Sequence, residues 1–67
     1  MIISRIAKAQ HDFLKKNFSY PDTLYVGARE SRQLAEVTEK TQAPVTYGDM
    51  AVIQVKKDEY LEVALNA

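Results

Sequence analysis

The sequence predicts a small α+β domain in which two helices lie on one face of a three-stranded mixed sheet. Residues 4–17 and 28–41 repeat apolar side chains at helical spacing, whereas three short segments are apolar in strand-like patterns. Prolines and glycines separate these segments. The expected order is α-β-α-β-β within a single domain, 1–67, because 67 residues provide for one hydrophobic core at most.

The first helix is predicted over residues 4–17. Ile3, Ile6 and Phe13 are among the apolar residues that recur at steps of three and four, which is the spacing of one helix face. Ser4 is the expected N-cap, because a serine hydroxyl accepts a hydrogen bond from a free N–H of the first turn. This helix is therefore expected to pack one stripe on the sheet.

A short strand and a second helix follow. Pro21 cannot continue a helix, and the β-branched and aromatic residues of Thr23–Val26 favour a strand that ends at Gly27. The helix predicted over 28–41 has a narrow apolar stripe around Leu34. Such a stripe is typical of a helix that covers a sheet from the solvent side.

The last third of the chain predicts a C-terminal β-hairpin. Residues 50–55 and 60–65 read as strands, and the polar residues 56–59 read as the turn between them. Alternation predicts that Ile53 and Val63, among others, face the helices. Before this hairpin, the segment around Tyr47 is expected to pair only briefly at a sheet edge.

Composition excludes several classes of protein and of site. The chain has no cysteine and a single histidine, so neither a disulfide, a thiolate metal site nor a histidine-rich site is expected. No cofactor or metal is predicted. Apolar runs are far shorter than a membrane span, no signal peptide is recognised, and a cytoplasmic protein without membrane contact is expected.

No catalytic constellation is predicted. His11 and Asp12 are neighbours in a helix and therefore point in different directions, which does not make an oriented acid–base pair. A chain of 67 residues also has little room to enclose a substrate pocket of several hundred Å³. The expectation is a protein that is not an enzyme and has no small-molecule substrate.

Charge is distributed unevenly although the formal net charge is zero. Residues 1–32 hold six cations and three anions, and residues 33–67 hold three cations and six anions. A basic half favours the alternative hypothesis of a nucleic-acid or phosphate-binding accessory protein. Its expected contacts are Arg5, Lys8, Lys15, Lys16, Arg29 and Arg32.

The segment YVGARESR, residues 25–32, is where an anion site is most readily imagined. A helix that begins after a strand presents free N–H groups, and Arg29 and Arg32 add positive charge. The glycine-rich phosphate signatures are nevertheless absent, since Gly27 is the segment's only glycine. A tight strand-to-helix connection, with arginines that are solvated or paired with Glu30 or Glu36, is the favoured interpretation.

The leading functional hypothesis is a small protein–protein interaction module that forms a homodimer. A chain of this size buries only about 60% of its unfolded surface, and without a disulfide or metal a second subunit is the expected support. Tyrosines are frequent at protein interfaces, and the sheet face opposite the helices is expected to be open. The predicted interaction surface, on that face or an edge strand, consists of Tyr25, Tyr47, Val52, Gln54 and Tyr60.

Overall fold

The chain folds as a four-stranded mixed sheet with two helices packed against one face. The structure is a computed structural model that describes residues 1–66. Its elements, in chain order, are α1 (Ile2–Asn17), β1 (Thr23–Val26), α2 (Ala28–Val37), β2 (Thr46–Tyr47), β3 (Met50–Gln54) and β4 (Leu61–Ala64). The α+β class is confirmed, and the sheet has one strand more than the sequence predicts.

The strands lie in the order β2-β3-β1-β4. β1 is parallel to β3 and antiparallel to β4, so it separates the two strands that were expected to form the C-terminal hairpin. That hairpin prediction is wrong. The backbone N–H of Val55 donates to the carbonyl of Val26, and the chain then passes the end of β1 to reach its other side.

A hairpin does exist, but it joins β2 to β3. Tyr47 pairs with Met50 across the two residues Gly48 and Asp49. Gly48 has a φ of 59°, a conformation that residues with a side chain rarely adopt and that two-residue hairpin turns commonly need. The brief edge strand expected near Tyr47 is therefore the fourth strand of the sheet.

The core lies between the sheet and both helices. Ile2 and Ile6 of α1 and Leu34 of α2 are buried against Leu24 and Val26 of β1. Met50 and Val63, from the strands on either side of β1, complete the buried cluster. Because side chains alternate along a strand, these residues define one face of the sheet as the helix face.

The apolar stripe of α1 is rotated from the predicted one. Ile2, Ile6, Ala9 and Phe13 face the core, whereas Ile3 is 43% exposed. The helix begins at Ile2, so Ser4 lies inside its first turn and is not the N-cap. Helical periodicity predicted the element but misplaced its buried face by one position.

The second helix ends four residues earlier than predicted. Thr38 is its C-cap, and the Thr38 hydroxyl donates to the carbonyl of Leu34 at 2.8 Å. Glu39 then adopts a positive φ of 57°, which turns the chain out of the helix. The helix consequently extends from Ala28 to Val37 only.

The side chains of β3 lie on the faces of the sheet opposite to those predicted. Its pairing with β1 places Val52 beside Leu24 and Ile53 beside Tyr25. Since Leu24 is buried on the helix face, Val52 faces the core and Ile53 faces away from it. For β4 the predicted phase is confirmed at Val63, which is buried.

Candidate interaction surfaces

The strand-to-helix corner at Gly27 is occupied by the protein's own backbone. Residues 57–60, here called the capping loop, lie across the start of α2. The N–H groups of Gly27, Ala28 and Arg29 donate to the carbonyls of Tyr60, Lys57 and Asp58, respectively, at 2.8–2.9 Å. These donors are therefore used within the fold, and the corner does not present them to an external anion.

Gly27 is needed because the capping loop approaches so closely. A Cβ atom at this position would lie 2.7 Å from the backbone nitrogen of Tyr60 and 2.9 Å from the carbonyl oxygen of Lys57. Its φ of −82° is ordinary for any residue. The glycine is thus explained by close packing of backbone on backbone, not by an unusual dihedral angle.

Glu30 is a buried carboxylate that the sequence did not single out. It lies in the first turn of α2 and is 1% exposed. One carboxylate oxygen accepts from the backbone N–H of Tyr60 at 2.9 Å, and the other accepts from the guanidinium of Arg5 at 3.3 Å. Glu30 therefore joins α1, α2 and the capping loop through one side chain.

The environment of Glu30 lowers the pKa of its carboxyl group. Burial by itself raises the pKa of this carboxyl, because it disfavours the charged form. The hydrogen bonds from the backbone N–H groups of Tyr60 and Glu30, together with the guanidinium of Arg5, outweigh burial and hold the pKa below its usual value of 4.5. Glu30 is consequently ionised at neutral pH and stabilises the junction as an anion.

The sheet face opposite the helices is called here the open face. Tyr25 on β1 lies between Ile53 of β3 and Glu62 of β4 on this face. Ile53 is 44% exposed. By strand alternation, the open face includes Thr23, Tyr25, Ala51, Ile53, Tyr60, Glu62 and Ala64.

Polar contacts fix several open-face side chains. The Tyr60 hydroxyl donates to the carboxylate of Glu62, and this bond raises the pKa of Tyr60 above its usual value of 10.0. The Lys57 ammonium lies 4.8 Å from the centre of the Tyr60 ring. At the opposite end, the Asn66 amide donates to the hydroxyl of Tyr25 at 2.9 Å. The two tyrosines are therefore held in defined positions.

Three residues of the predicted interaction surface lie elsewhere. Val52 and Tyr47 pack against the core cluster. Val52 is paired with the buried Leu24 and Tyr47 with the buried Met50, so both side chains lie on the helix face of the sheet. Gln54 is exposed at the end of β3, beside Val26 of β1. The expected place of Val52 and Gln54 on the open face is wrong. Tyr47 lies in the edge strand β2, as the expected edge pairing requires, and Tyr25 and Tyr60 share the open face. Whether any of these residues binds a partner stays a prediction.

Half of the predicted phosphate contacts are paired with carboxylates. Arg5 pairs with Glu30, Lys8 pairs with Asp12 at 3.2 Å, and Arg29 pairs with Glu59 of the capping loop. Within residues 1–66, the other three cations are exposed and make no ion pair: Lys15, Lys16 and Arg32. Nucleic-acid binding stays a prediction, and these three cations are the ones that would be available for it.

Two surface depressions adjoin the sheet. One, of about 510 Å³, lies beside the turn that follows β3, between Ala28 and Asp58. The other, of about 470 Å³, lies between α1 and β4 and is called the α1–β4 groove. Its apolar lining is Ala9, Phe13, Leu61 and Val63, and its polar lining is Asp12, Lys16, Asn17 and Glu62. This groove follows the free edge of β4.

The described residues give no sign of a metal centre or of a membrane-spanning helix. Among residues 1–66, histidine and carboxylate side chains do not gather in a group of three that could hold a metal ion. No helix in that range has the length and apolar character needed to cross a bilayer. Comparison with protein-family models, curated proteins and solved structures finds no match for this chain.

Proposed function

We propose that this protein is a non-enzymatic protein–protein interaction module that self-associates through an exposed part of its sheet. The observation that carries the proposal is the amount of surface left uncovered. The chain exposes 4815 Å². A monomeric protein of 7.6 kDa is expected to expose about 4,300 Å², so the excess is about 500 Å².

The position of this surface supports association. Both helices lie on one face of the sheet, so the open face has no covering layer in residues 1–66. Within residues 1–66, strand β4 also has a sheet neighbour on one side only. Exposed sheet faces and unpaired strand edges are surfaces that proteins commonly cover with a partner. A cytoplasmic location is part of the same proposal.

Concentration-dependent unfolding tests the proposal. If folding is coupled to association, the thermal midpoint rises with protein concentration, because mass action stabilises the associated form. We expect this rise across the micromolar range, measured by circular dichroism. A midpoint that does not change with concentration, from a chain that remains a 7.6 kDa monomer, would contradict self-association.

A further inference from the structure

The outer edge of β4 has backbone groups that another strand could pair with. The carbonyl of Tyr60 accepts from Gly27 of the strand-to-helix corner, so the backbone of Tyr60 is directed to the β1 side. Because backbone direction alternates in an antiparallel pair, Glu62 and Ala64 also bond towards β1. The backbone groups of Leu61 and Val63 are consequently directed outward, and among residues 1–66 no strand pairs with them.

The α1–β4 groove extends this edge into an apolar slot. Phe13 of α1 and Leu61 and Val63 of β4 line it. A strand added beside β4 would direct alternate side chains towards this slot, because every second residue points to the helix face. The edge and the groove therefore form one surface, and a partner that binds it needs an extended backbone and an apolar side chain.

We propose that a second copy of this chain meets both requirements, with β4 pairing antiparallel to β4 of the partner copy and Leu65 of each copy entering the groove of the other. The inference rests on the proposed self-association and specifies its surface. Leu65 follows β4 directly and is 45% exposed within a single chain. Twofold symmetry makes the same patch serve both copies.

Symmetry and charge select one register for this pairing. Outward-directed residues must face each other, so the twofold axis passes through Val63 or through a residue one place away. With the axis at Val63, Leu61 lies opposite Leu65 of the partner copy, and Glu62 lies opposite Ala64. With the axis at Glu62, the two carboxylates would face each other directly, which is unfavourable. With the axis at Ala64, only residues 63 to 65 of this segment would pair with one another, whereas the axis at Val63 pairs all five residues from 61 to 65. The register centred on Val63 is therefore preferred.

The groove lining includes one carboxylate and one ammonium group on α1, which carry opposite charges and could pair between two copies. Asp12 and Lys16 lie one turn apart on the groove side of α1. Rotation about the twofold axis reverses the direction of the helix, so Asp12 of one copy is brought towards Lys16 of the other. Opposite charges in this arrangement favour the antiparallel register and the association rate. In the isolated chain Asp12 pairs with Lys8, and Lys16 has no carboxylate partner among residues 1–66.

A matched pair of substitutions separates this surface from the open face. Leu65→Lys places a charge at the proposed contact, and Ile53→Lys places the same charge on the open face at nearly equal exposure, 45% against 44%. We expect L65K to raise the dimer dissociation constant at least about tenfold and I53K to leave it within about twofold of wild type, measured by sedimentation velocity. Circular dichroism of both variants verifies that they fold.

The outcomes distinguish this inference from the proposed function. If I53K dissociates the dimer and L65K does not, self-association stands and the β4 interface is wrong. If the wild-type chain is a monomer throughout the micromolar range, both are wrong.

Cysteine cross-linking tests the register, and the natural absence of cysteine makes the reporters unambiguous. Residues opposite each other in a non-hydrogen-bonded antiparallel pair have Cα atoms about 4.5 Å apart, within disulfide range. An equimolar mixture of E62C and A64C is therefore expected to form disulfide-linked dimers faster than either variant alone. Fastest linking of E62C alone would move the axis to Glu62 and overturn the Val63 register. T46C, on the opposite edge of the sheet, is the control, and its linking at the rate of the mixture would overturn the β4 interface.

Discussion

Replacing Glu30 by glutamine removes the charge from the junction of α1, α2 and the capping loop. The carboxylate accepts hydrogen bonds from the backbone N–H of Tyr60 and from the guanidinium of Arg5. Hydrogen bonds to charged groups each contribute about 1.5–3 kcal/mol net, and the cost of burying the carboxylate offsets part of their sum. Gln keeps one acceptor oxygen but turns an NH₂ group towards a donor. We therefore expect E30Q to lose about 2–3 kcal/mol of unfolding free energy.

Urea and thermal unfolding measure this loss. A domain of this size has a total stability of roughly 3–10 kcal/mol, so the expected loss is a large part of it. The thermal midpoint should fall by about 10–20 °C. Glu36→Gln is the matched control, because Glu36 is exposed on the same helix and should change stability by less than about 0.5 kcal/mol. An E30Q protein as stable as E36Q would show that the junction does not depend on the carboxylate.

The same residue predicts how stability depends on pH. The pKa of Glu30 is lower in the folded chain than its usual value of 4.5, so the unfolded chain binds the proton more readily. The contribution of Glu30 is therefore complete above about pH 4.5 and is lost as the pH falls through the folded-state pKa. The stability difference between wild type and E30Q should shrink on acidification in that window. A difference that grew as the pH fell would refute the assigned hydrogen bonds.

Three further predictions concern other parts of the structure. Gly27→Ala should destabilise the fold by about 1–3 kcal/mol, measured by urea unfolding, because its Cβ meets the backbone of the capping loop. Glu62→Gln should lower the pKa of Tyr60 towards 10.0, followed by NMR, since the carboxylate is the main cause of its elevation; an unchanged pKa would contradict the bond between them. If the alternative hypothesis of nucleic-acid binding is correct, a labelled duplex should bind to the wild-type protein at low salt. The double substitution Lys15→Gln and Lys16→Gln should then weaken this binding and reduce its dependence on salt concentration. No binding of the duplex to the wild type at low salt would exclude the hypothesis.

Local sequence patterns predicted the helices and strands better than they predicted which strands pair with one another. Thr23–Val26 is a strand with the predicted bounds, because Pro21 and Gly27 limit it on both sides. In β3, apolar residues stand at both phases, so alternation alone could not decide whether Val52 or Ile53 faces the core. The parallel register with β1 decides it, and that register is a long-range property.

The false hairpin has the same origin. Two strand-like segments separated by the polar residues 56–59 resemble a hairpin in sequence. In the fold these residues pass the end of β1 and form most of the capping loop, whose carbonyls accept from the first N–H groups of α2. A sequence pattern cannot distinguish a turn that reverses a strand from a loop that crosses its neighbour, because both are short and polar.

Glu30 shows what sequence reasoning missed at the site. An acidic residue in the first turn of a helix is a known signal of N-terminal stabilisation, and Glu30 is the only acidic residue in the first turn of α2. Its donors come from Arg5 and Tyr60, which are 25 and 30 residues away, so the burial of the carboxylate could not be read from neighbouring residues. Of the predicted interaction surface, the structure brings together Tyr25 and Tyr60, and strand phase moves Val52 to the core.

Sedimentation equilibrium of the wild-type chain tests the central claim most directly, because it gives the mass in solution without any substitution. Self-association predicts that the average mass rises with concentration through the micromolar range and approaches twice 7.6 kDa. A constant mass of 7.6 kDa at every concentration would contradict it.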